Sequence, residues 1–232
     1  MTKRILIWVI LFVSCTRFFA GDVARFVDIG FSADGRTYLF GQYGKTDKKF
    51  LPYAEIYVVD VQNNDFIKTF KSQGAAQTKS GADVFEELKT ANRNFLSIYN
   101  CAETRGDQVL YLRADDDRST QDTLEFTDFG HSMRDNQVVY TIRLVPRIEG
   151  SGKNVSSSFY IAIERRNRTT GAVIDRVSAG NPNIKRAGVS GYRIEKIFAD
   201  FSGKNLVFVV EKILVGDDGI SVRYMVETAA LK

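Results

Sequence analysis

Residues 206–215 read LVFVVEKILV, residues 216–219 read GDDG, and residues 220–227 read ISVRYMVE. β-branched and aromatic side chains suit a pleated surface, and Asp-Gly steps tolerate the positive φ of a tight turn. Two such runs around a short turn predict an antiparallel hairpin. Upstream, residues 192–199 read as a further strand. At the other end, residues 25–31 and 37–40 flank Asp34 and Gly35, while residues 55–60 and 66–70 flank a turn at 62–65. Strands are also predicted at 109–112, 124–126, 138–145, 159–163 and 172–177. Residues 41–49 read as a polar loop and 71–79 as a linker. One stretch changes period. Val84, Phe85, Leu88, Ala91, Phe95, Ile98 and Tyr99 recur at helical spacing, which predicts one helix over 82–100 capped by Ser80 and Asp83. The expected fold is mainly β: antiparallel sheets, sandwich-like or partial propeller-like, with one packed α-helix in a single domain over 21–232.

Of 232 residues, 44% are hydrophobic and 26% charged, which excludes collagenous, low-complexity and disordered chains. Lys3 and Arg4 precede nine apolar residues, ILIWVILFV at 5–13. That run is too short to cross a bilayer, and with its basic start it reads as a secretory signal peptide over 1–20. Cleavage after Ala20 is favoured, although Phe18 is larger than the third position back prefers. Residues 11–15 (LFVSC) form a relaxed lipobox, so lipidation at Cys15 is the alternative. The reading places the protein outside the cytoplasm, secreted or periplasmic, with a membrane anchor only if Cys15 is lipidated. Residues 1–20 hold Lys3, Arg4 and Arg17 and no acid, leaving 29 basic against 28 acidic residues. A near-neutral mature chain gives no electrostatic case for nucleic acid.

Residues 31–40 (FSADGRTYLF) and 201–208 (FSGKNLVF) echo each other: aromatic, Ser, turn, apolar strand. The rhythm is that of β-propeller blades, but two ordinary hairpins with shared turn chemistry would produce it too. Residues 30–40 (GFSADGRTYLF), 51–60 (LPYAEIYVVD) and 183–194 (NIKRAGVSGYRI) also resemble the predicted secreted bacterial proteins grouped as domain of unknown function 2259. The resemblance extends over nearly the whole chain after the leader. It implies export and a shared fold; it implies no activity, so no functional residues are carried over from it.

No catalytic motif emerges. A Ser-His-Asp triad would have to use His131, the one histidine, and no Gly-x-Ser-x-Gly elbow is present. A Cys101–His131 pair lacks a visible electropositive setting. Asp115, Asp116 and Asp117 do not follow EF-hand spacing and read as a solvated turn between Arg113 and Arg118. Asn154 and Asn167 begin glycosylation sequons, meaningful only in a eukaryotic secretory route. Neither a cofactor nor a metal is expected. Phe50 and Tyr53, in an aromatic loop over 41–54, are the candidate binding residues. The expected role is binding or structural, toward an envelope protein or ligand that the sequence does not identify. The alternative is a secreted hydrolase using carboxylates.

Overall fold

The computed structural model describes residues 22–46, 49–75, 78–114, 122–131, 137–216 and 219–231. The leader, Cys15 and the Asp115–Asp117 triplet therefore lie outside the described residues. Strands β1 (Arg25–Phe31), β2 (Thr37–Lys45), β3 (Pro52–Asp60) and β4 (Asp65–Gln73) form an antiparallel meander in that order. A central sheet takes β5 (Val109–Leu112), β11 (Val189–Ala199), β12 (Asn205–Gly216) and β13 (Gly219–Ala230), in the order β13-β12-β11-β5. An outer sheet holds β6 (Thr123–Asp128), β7 (Val138–Glu149), β8 (Ser156–Asn167), β9 (Val173–Ala179) and the two-residue β10 (Arg186–Ala187). There β9 and β10 pair with successive stretches of β8.

The layering follows from β12. Leu206, Phe208 and Val210 face the outer sheet, beside Ile142, Phe159 and Ile161. Val207 and Val209 face the meander, beside Tyr38, Phe40 and Val59. Both faces of β12 are dry, which explains its unbroken apolar run where a half-exposed strand would alternate. The mainly-β antiparallel fold with a packed helix is thus observed as three stacked sheets. The described strands close no barrel.

On the far face of the meander lies α1 (Gly81–Ala91), which buries Val84, Phe85 and Leu88 against Ala54 and Ile56. Ser80 and Asp83 form the predicted capping box, with Ser80 Oγ accepting from Asp83 N and the Asp83 carboxylate accepting from Ser80 N. The helix is shorter than its periodicity predicts. At Asn92 the backbone leaves the helical region, and the side-chain amide donates to Leu88 O at 2.8 Å. Asn competes for backbone partners in this way, and here the competition ends α1. A five-residue α2 (Arg93–Ser97) follows, and Ile98, assigned to the stripe, is exposed.

Residues 41–45, predicted as loop, belong to β2. Two tertiary contacts override their composition. The Phe85 ring occupies the place a Cβ on Gly41 would take, at 2.2 Å, and Gln42 is buried with both ends of its amide bonded. The hairpin predicted around 216–219 is formed, with Gly216 paired to Gly219.

Candidate functional site

β13 is the edge of the central sheet, and an edge exposes backbone donors and acceptors to any passing strand. Here the even-numbered residues turn those groups outward. Val222 N donates to Asp22 O at 2.9 Å, and Ala24 N donates to Val222 O. Tyr224 N donates to Gln42 Oε1 at 2.8 Å, and Thr228 N donates to Asn64 Oδ1 at 2.7 Å. Asn64 reaches that place from the β3–β4 turn, where it adopts φ 52°, a left-handed conformation Asn accepts readily. Two side-chain carboxamides thus stand where a neighbouring strand's carbonyls would be. Val226 lies between them. Its outward N–H and C=O meet no hydrogen-bonding partner among the described residues.

At this opening lies a groove of about 1070 Å³. One wall is the β3–β4 hairpin with Tyr57 and Phe66, whose rings lie 5.4 Å apart. The other is β9 and the 180–186 loop, with Asn181 and Arg186. Size and mixed lining suit a small-molecule or peptide site.

The groove's charges are unevenly matched. Glu227 accepts from Asn64 Nδ2 at 2.6 Å and from Arg186 at 3.2 Å. Burial pushes its carboxyl above the usual range, against the pull of both partners. Arg186 also lies over the Phe159 ring at 5.0 Å, so it is held on two sides. Lys212, on β12, also lines the groove. Among the described residues it has no hydrogen bond or ion pair, and burial holds its ammonium below the usual lysine range. Glu55 opposes that shift but is committed elsewhere. It accepts from Tyr57 at 2.5 Å and from Gln42 at 2.7 Å, and it pairs with Lys71 at 2.9 Å. Burial raises the Glu55 carboxyl, but these partners outweigh it and leave its pKa lowered.

The residues singled out from sequence lie elsewhere. Phe50 is 53% exposed, with φ 50°, on the β2–β3 connection. Tyr53 is buried between the meander and the central sheet, with the Arg223 guanidinium 4.5 Å over its ring. The structure does not bring the pair to the groove. His131 Nδ1 lies 3.4 Å from Asp128 Oδ1, and the ring packs on Gly203. Cys101 is half-buried beside Ile29 and Leu39. Burial, helped by the charges of Asp34 and Asp28, pushes its thiol up to about 12, a value that leaves little thiolate at neutral pH. Sequence reasoning missed Gln42, Asn64, Lys212, Val226 and Glu227. One signal was available: Lys212 and Glu227 are ionisable residues inside runs read as core strands, where burial is costly without a reason.

A family model described as "Predicted secreted protein (DUF2259)" matches residues 39–230. The chain belongs to this family. No curated protein and no solved structure matches it. Among the described residues, no helix is long and apolar enough to cross a membrane.

Proposed function

We propose that this member of the DUF2259 family is a bacterial envelope or periplasmic protein that binds a ligand in the groove along β13. The observation that carries the reading is Lys212: a half-buried lysine with no ion pair among the described residues, lining a groove large enough for a ligand beside a strand edge that is unpaired at Val226. A cation held so costs stability, and such costs concentrate at functional sites. The one strongly buried carboxylate in the groove, Glu227, is tied to Arg186 and Asn64. That arrangement supports binding over the carboxylate-dependent hydrolase, which needs two carboxyl groups acting on one bond.

The test is equilibrium dialysis of the purified protein against the low-mass fraction of envelope extract, read by mass spectrometry. Wild type should retain a compound that Lys212→Met releases, recovered chemically unchanged. Equal retention by both proteins, or by neither, contradicts the groove; recovery of a cleaved compound favours the hydrolase. Export follows the leader reading. The intact mass of the mature protein should begin at Gly21, or at an acylated Cys15 whose replacement by Ser abolishes membrane association. Retained Met1 contradicts export.

A further inference from the structure

The edge of β13 restricts what the groove accepts, an argument that rests on the groove being the binding site. Four outward N–H groups follow at every second residue from Val222. Three are capped: by Asp22 O, Gln42 Oε1 and Asn64 Oδ1. Gln42 and Asn64 bracket Val226, and the four residue steps from Tyr224 to Thr228 span about 14 Å of strand. Neither cap is easily displaced. Gln42 Nε2 donates to Glu55, and Asn64 Nδ2 donates to Glu227. A long added strand would have to strip both caps, whereas a single residue can exchange two hydrogen bonds with Val226 and disturb neither. Strand addition is a common mode of peptide capture, and here it is limited to one bridge.

Charge sets the direction. Toward Asn64 the Arg186 guanidinium is already paired with the Glu227 carboxylate, so that end offers no free cation. Toward Gln42, in register with Arg223, stands Lys212, which no acid in the described structure pairs. Tyr57 and Phe66 offer an aromatic wall to a side chain between these ends.

We infer that the groove binds a short extended peptide, two or three residues long, with a free C-terminal carboxylate. One residue pairs with the N–H and C=O of Val226, and the carboxylate meets Lys212.

The probe is a pool of N-acetylated tripeptides of varied side chain, prepared as free acids and as C-terminal amides, titrated calorimetrically into the purified full-length mature protein. The free acids should bind at least tenfold tighter than the amides, and Lys212→Met should abolish that preference. In a second measurement, the Val226 amide resonance should move on titration of the free acids. Equal affinity for acids and amides overturns the inference, as does an unmoved Val226 amide. Absence of peptide binding overturns it as well. In that case, retention of a non-peptide compound in the dialysis experiment would leave the binding groove itself standing, so the two failures are distinguishable.

Discussion

On one face of the β1–β4 meander, Val84, Phe85 and Leu88 of α1 pack on Ala54 and Ile56, and a complete capping box begins the helix. At the rim of the other face, Phe66 and Tyr57 border a groove in which, among the described residues, Lys212 has no ion pair and the outward edge of Val226 has no hydrogen-bonding partner. The same sheet therefore carries on one face a seam where each local choice favours stability and borders on the other a groove where two choices on the central sheet oppose it. A folded chain tolerates such costs when something else depends on them. The contrast separates what holds this protein together from what we assign to its function.

Substitutions should divide along that line. Phe208→Ala removes a ring that is 0% exposed between the central and outer sheets. It should cost about 3–5 kcal/mol, seen as a lower urea midpoint; a loss below about 1 kcal/mol would mean β12 is not the packed centre. Leu88→Ala, under α1, should cost about 2–3 kcal/mol by the same measurement. An unchanged midpoint would show the helix seam to be loose and erase the contrast. Ser80→Ala removes one half of the capping box and should cost about 1 kcal/mol. Lys212→Met should run the other way. It removes a desolvated charge and should raise stability by roughly 0.5 kcal/mol, while ligand retention disappears.

The pH dependence sharpens that last case. Because burial lowers the Lys212 pKa, the unfolded chain binds the proton more readily than the folded one. The penalty is full below the folded value and is relieved as pH rises through it toward 10.5. The difference in melting temperature between wild type and Lys212→Met should therefore narrow as pH rises through that window. A constant difference would show that packing, not charge, separates the two proteins.

Strand identity and the helix start were legible in sequence because they rest on local chemistry. The Asp34-Gly35 turn, the Ser80–Asp83 box and the runs 206–215 and 220–227 each form where expected. The echo of residues 31–40 in 201–208 also has a structural counterpart. Gly35, at φ 69°, sits where any Cβ would lie 2.4 Å from the Asp200 carboxylate, so the two turns pack on each other. What sequence hid was non-local. Gln42 read as loop because its partners are Glu55 and Tyr224. Asn64 read as an ordinary turn residue, although it bonds Thr228 at a separation of 164 residues. Phe50 and Tyr53 read as one aromatic loop, and β3 separates them by drawing Tyr53 inside. The groove arises from the stacking of sheets, which no single stretch encodes.

The central claim is that ligand binds along β13, and the most direct measurement of it is an amide chemical-shift map of the uniformly labelled protein with and without the retained compound. The changes should gather on Val226, Ser178 and the Asn64 side-chain amide. Changes gathered instead around Phe129 and Phe201, the most solvent-exposed aromatics among the described residues at 73% and 71%, would contradict it.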